Sequence, residues 1–85
     1  MTHQKHDRVL YDDENDVLYV LLSDNEVSRT KALDDLRLVD YDDSDEPVGI
    51  EFISASDGLD LSGAPWASRI QVLLDEAGIT FPIHA

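Results

Sequence analysis

The chain has 85 residues, 42% hydrophobic and 29% charged, which fits one small folded domain and is too apolar for wholesale disorder. Nineteen Asp and Glu against six Lys and Arg give a formal charge of -13, excluding a generic grip on nucleic acid, because displacing the counterions of a polyanion needs clustered cations. There is no cysteine, so disulfides, zinc ribbons and thiol catalysis fall away, and no apolar run approaches a membrane span or the core of a signal peptide; a soluble, cytoplasmic protein is expected.

Residues 1–7 read as a frayed N-terminus, and the first strand-forming run is Arg8-Val9-Leu10-Tyr11. Asp12-Asp13-Glu14-Asn15 then supplies side chains that bond their own backbone and tolerate turn geometry. Val17 to Leu22 is β-branched and apolar, and a short loop between two such runs predicts a hairpin. After the turn at Ser23-Asp24-Asn25-Glu26, the segment Val27–Leu33 carries Arg29 and Lys31, residues suited to an edge strand. A second hairpin pairs Leu36–Tyr41 with Val48–Ile53 across Asp42-Asp43-Ser44-Asp45-Glu46-Pro47. Tyr-Asp-Asp recurs at 11–13 and 41–43, as two hairpins built alike would require. The composition then shifts. Residues 1–57 hold sixteen of the acids, whereas residues 58–85 hold three and predict one amphipathic helix over 63–78. Pro65 stands in its first turn, Trp66, Ile70, Leu73, Leu74 and Ala77 lie along one stripe, and Gly78 follows its end. The expectation is an α+β domain: a small antiparallel sheet of three to four strands over residues 8–57, a C-terminal helix, and an apolar tail over 79–85.

The second strand is apolar on both faces, Val17, Tyr19 and Leu21 on one and Leu18, Val20 and Leu22 on the other. One helix covers one face of such a sheet. The other would expose a patch of roughly 400 Å² or more, near the limit for a monomer. If Leu18, Val20 and Leu22 line it, a homodimer formed sheet to sheet or by helix exchange is the expected cover, the alternative being the chain's own tail around Phe81. Leu18, Val20, Leu22, Trp66, Ile70, Leu73, Leu74 and Phe81 are therefore the candidate interface residues, with residues 79–83 and the helix as a docking element for a partner.

Chemistry is harder to find. Asp40, Asp42, Ser44, Glu46, Val48 and Glu51 fall at positions one, three, five, seven, nine and twelve of an EF-hand-like spacing. Asp45, however, occupies the position where the sharp bend wants glycine, Pro47 follows two residues on, and the flanks read as strands. The turn aspartates Asp12, Asp16, Asp40 and Asp42 make wet pairs, unsuited to acid–base catalysis, which needs one carboxyl with its pKa raised in a walled cleft. Glu51 interrupts an apolar strand. It is ordinary if its face is solvated, and needs a cation such as Arg37 if buried at an interface. His3, His6 and His84 lie at the chain ends with no third ligand fixed in sequence, and there is neither a nucleophile elbow nor a phosphate loop. No catalytic residue, metal site or cofactor is assigned.

Tyr11-Asp12, Asp16, Leu18-Tyr19-Val20 and Leu22, followed by Val39-Asp40, Asp42, Val48-Gly49-Ile50-Glu51, Ile53 and Ala55-Ser56, form two blocks whose order and spacing resemble the prokaryotic domain of unknown function 2283 family (DUF2283), over about residues 8–57. The resemblance implies an antiparallel sheet with a helix. It implies no catalytic residue, and some members resemble the antitoxin half of two-gene modules beside ribonuclease-like toxins. Residues 58–85 depart from the shortest members. The leading expectation is a protein–protein interaction module, antitoxin-like toward a basic protein, because opposite fields speed encounter. The alternative is a noncatalytic domain whose acidity serves solubility in a salty cytoplasm, and the least favoured is a metal binder or small enzyme on the turn aspartates.

Overall fold

In a computed structural model, described for residues 8–84, the strands are β1 (Arg8–Asp12), β2 (Val17–Leu21), β3 (Arg29–Asp34), β4 (Arg37–Tyr41) and β5 (Pro47–Ile53). They form one antiparallel sheet of order β1-β2-β5-β4-β3, so the sheet has five strands, not three to four. Both expected hairpins are present, and Arg29–Asp34 is a full edge strand on β4. The N-terminal segment 1–7, with His3 and His6, lies outside the described residues.

The β2–β5 register sets Leu18 opposite Phe52 and Val20 opposite Ile50, and the β4–β5 register sets Val39 opposite Ile50. These residues share one face by alternation. That face is covered by α1 (Ala67–Glu76), and Leu18, Val20, Val39, Ile50, Phe52, Ile70 and Leu74 are fully or almost fully buried. Leu59, Leu61 and Leu73 complete the core. Burying each such side chain is worth roughly 1.5–3 kcal/mol.

The helix starts later than the apolar stripe implies. Gly63 and Trp66 both adopt left-handed φ, 70° and 59°, which a right-handed helix cannot include. Ser62 to Trp66 is therefore a double turn, and Pro65 precedes the helix instead of opening it. At the other end, Ala77 is the cap and Gly78 takes φ 73°. Ile79 N–H bonds Leu74 O at 3.0 Å and Gly78 N–H bonds Asp75 O at 3.0 Å, the paired closure that glycine permits beyond a helix end.

The tail turns back on its own chain. β6 (Leu59–Asp60) and β7 (Ile83–His84) pair in parallel, with Leu59 N–H bonding Pro82 O at 2.8 Å and Leu61 N–H bonding His84 O at 2.7 Å. Phe81 meets the edge of Tyr11 with ring centroids 5.1 Å apart. One buried cation joins these parts. Arg37 donates to Asp34 Oδ2 through Nη2 at 2.8 Å and through Nε at 3.1 Å, and through Nη1 to the carbonyls of Asp60 and Ser62. It thereby ties the β3–β4 turn to the segment that leads into the helix.

Candidate functional site

Five of the eight candidate interface residues, Leu18, Val20, Ile70, Leu73 and Leu74, form the protein's own core, and no docking surface can use them without unfolding. Phe52 and Ile50 stand opposite Leu18 and Val20, and Val39 stands opposite Ile50, so the even-numbered side of β2 is continuous with the apolar face that the helix covers. Leu22 and Phe81 are half-buried against the same core. Trp66 is 53% exposed, because its left-handed backbone turns it off the helix stripe. Residues 79–83 are used internally, as the approach to β7 and its first residue.

The open face is the odd-numbered side of β2. Across the sheet, the register runs Leu10, Tyr19, Glu51, Leu38, Ala32, flanked by Val17, Leu21 and Ile53. Leu10 is 52% exposed, and Val17, Tyr19, Leu21, Leu38, Glu51 and Ile53 are half-buried. Gly49 shapes the middle of this face. A β-carbon there would lie 2.1 Å from the Tyr19 hydroxyl oxygen, so the missing side chain is the space in which the phenol rests. Tyr19 Oη donates to Asp40 Oδ2 at 2.8 Å, and Thr30 Oγ1 donates to Asp40 Oδ1. Burial, followed by the bond to Asp40, holds the Tyr19 phenol in its neutral form well above the ordinary range.

Glu51 stands at the centre of this face, and among the described residues it has no ion pair. Arg37 is not its partner. It aligns with Phe52 across β4 and β5, points through the sheet to the helix side, and is held there by Asp34.

Of the turn aspartates, Asp12, Asp16 and Asp42 are committed to backbone N–H groups, and Asp40 to the Tyr19 and Thr30 hydroxyls. Asp12 accepts from the N–H groups of Glu14 and Asn15 and from Asn15 Nδ2. Asp16, at φ 55°, accepts from Tyr11 Oη at 2.7 Å, Ser56 N at 2.9 Å and Ser56 Oγ at 2.7 Å. The Ser56 side chain, then Tyr11, lowers the Asp16 pKa below the usual range. Asp42 is buried and accepts from Glu46 N, Ser44 N and Asn25 Nδ2; the Glu46 N–H leads in lowering its pKa. The EF-hand-like spacing thus does not converge, because Asp40 points to the open face while Asp42 closes its own turn. The bend that would want glycine is taken by Asp45 at φ 66°, a conformation Asp tolerates. Beside it lies a shallow recess of ≈ 460 Å³ between segments 25–28 and 42–44, with the Asp42 oxygens already engaged. No group of three or more side chains placed to hold a metal ion occurs among the described residues, and no helix among them is long and apolar enough to cross a membrane.

What the strands and turns define is a small antiparallel sheet with one helix-covered face, one open face and aspartate-locked turns. Residues 8–56 match the family described as "Protein of unknown function (DUF2283)". That is more than half of the chain, and the protein belongs to this family. No curated protein and no solved structure matches. Within the matched span, Asp12, Asp16 and Asp42 fix turns, Gly49 makes room for Tyr19, and Leu18, Val20, Val39 and Ile50 fill the core.

Proposed function

We propose that this protein is a noncatalytic protein–protein interaction module of the cytoplasm, antitoxin-like toward a basic partner. One observation carries the reading: a half-buried apolar sheet face left open on a chain of formal charge -13. An apolar patch on a monomer marks an association surface, and the acidic field favours a cationic partner in both rate and specificity. The test is recovery of the full chain from its own cells across a KCl series. A stoichiometric basic polypeptide that dissociates as KCl rises is expected. Recovery of the chain alone, with a melting temperature climbing steeply in KCl, would instead favour acidity as a salt adaptation.

A second reading, association of two copies, is favoured by the uniform exposure of edge strand β3, whose outer backbone groups are a template for strand pairing. Sedimentation velocity of the purified chain at micromolar concentration separates the two. A dimer in the absence of any other protein supports self-association, and a monomer removes it.

A further inference from the structure

The open face makes a chemical demand on whatever covers it. Tyr19 and Leu38 flank Glu51 across the strands, with Ile53 along its own strand and Val17 and Leu21 on the diagonals, so an occupant that excludes water from these side chains also strips it from the carboxylate. Burying that charge without a counterion costs more than the apolar contacts around it contribute. Within the described residues, the nearest strand cation is already consumed: Arg37 faces the other side and is bound by Asp34 and two carbonyls. The countercharge must come from the occupant.

A second copy of this chain meets the demand poorly. It brings the same acidic centre and another formal charge of -13, and among the described residues the cation on its own open face is Arg8, at the start of edge strand β1 and opposite Leu21, not Tyr19. Area also argues against it. Five strands about 4.8 Å apart and about five residues long give a face of roughly 400 Å², or about 800 Å² for two stacked copies. Stable specific interfaces bury about 1,200 Å² or more. A basic protein that reaches past the sheet edge to the acidic turns adds both area and opposite charge.

Resting on the interaction reading above, we propose that the open face of the sheet docks a basic protein that sets an Arg or Lys over Glu51 within a ring of its own apolar side chains. Glu51 is then the specificity-determining residue of the interface, and Tyr19, propped over Gly49 and held by Asp40, forms one wall of its pocket.

The test places a photo-crosslinking amino acid in the full chain at Leu38, on the open face, and separately at Val72, on the outer side of the helix, within the protein's own cells. The captured polypeptide is identified by mass spectrometry, purified, and titrated calorimetrically against the native chain, E51Q and E51R, each variant first shown by circular dichroism to melt as the native chain does. Capture through position 38 of a basic polypeptide is expected. E51Q should weaken binding at least about tenfold, as loss of one partner of a buried charge pair does, E51R should weaken it further, and an Arg or Lys to Glu change in the partner should restore binding to E51R. Capture through position 72 alone, or unchanged affinity of E51Q, overturns this docking surface and leaves the interaction reading standing. Crosslinking of the chain to itself through position 38 overturns the choice of occupant. Capture of nothing from either position overturns the interaction reading, and the docking proposal with it.

Discussion

At Gly49 the backbone of β5 passes beneath the Tyr19 phenol with no space for a β-carbon. Gly49→Ala must push the ring aside and break its hydrogen bond to Asp40, and the expected cost is about 1–3 kcal/mol, as for other overpacked sites, seen as a lowered denaturant midpoint with an unchanged slope. Tyr19→Phe keeps the ring and leaves Asp40 with Thr30, so a loss of about 1 kcal/mol is expected, and the difference between the two variants isolates packing from hydrogen bonding. Arg37 is the other residue whose role the sequence hid. A lone arginine between Leu36 and Leu38 gives no sign that it will turn inward, because two of its three acceptors, the carbonyls of Asp60 and Ser62, come from more than twenty positions further along. Arg37→Met keeps much of the apolar stem but strands both carbonyls, and should destabilise by about 2–3 kcal/mol in the same measurement.

Among the elements, the strands were legible and the helix start was not. β1, β2, β4 and β5 are bounded by aspartate-rich turns and rich in β-branched residues, so local chemistry and tertiary structure agree. β3 was legible only as an edge, through Arg29 and Lys31, which is why five strands were undercounted. The stripe from Trp66 to Ala77 has helical spacing throughout, yet the left-handed backbone of Gly63 and Trp66 delays the helix to Ala67, and Ala77 is exposed. The alternation on β2 identified two apolar faces but could not say which the helix takes. That choice depends on the register with β5, a long-range property. The helix end, by contrast, followed from Gly78. Its φ of 73° is strained for any side chain, so Gly78→Ala should cost about 1 kcal/mol, with faster hydrogen exchange at Ile79 as the local signature.

For the whole molecule, the segment beyond the family match is a cover. Leu59, Leu61, Ile70, Leu73 and Leu74 lie outside residues 8–56 and supply nearly half of the buried cluster. At roughly 1.5–3 kcal/mol each, their sum is comparable to the entire stability of a small domain, about 5–15 kcal/mol. A chain ending at Asp57 should therefore fail to fold as a monomer, and dye binding to exposed apolar surface with loss of a cooperative melt would show it. The pH profile follows from the same structure. The carboxyls of Asp12, Asp16, Asp34, Asp42 and Asp60 are held below their ordinary range by the groups that donate to them, led respectively by the side chains of Asn15, Ser56 and Arg37, the Glu46 backbone N–H and the Ser62 side chain. A depressed native pKa means the unfolded chain takes up protons first. The stabilisation is thus complete above the unfolded value of about 3.9 and is lost as pH falls through the lower native values. Easing of self-repulsion acts in the opposite direction on the way down from neutrality. Maximal stability is expected on the mildly acidic side and cooperative unfolding below about pH 4, measurable by thermal melts across a pH series. At the alkaline end Tyr11, whose phenol is pushed up to about 12 by its bond to Asp16, contributes below its unfolded pKa of about 10 and loses that contribution as pH rises through its native value.

The short parallel clasp between β6 and β7 gives the molecule a weak end and a strong one. A degradation machine pulling at β7 would first peel the β6–β7 pairing, then draw α1 off the sheet and leave its greasy underside bare. The same force applied at β1 would meet a strand zipped along its whole length to β2. Unravelling should therefore run from the β6–β7 clasp inward, and because α1 supplies Ile70, Leu73 and Leu74 to the shared core, a pull that unseats the helix would loosen the whole sheet, the face proposed to greet a partner included.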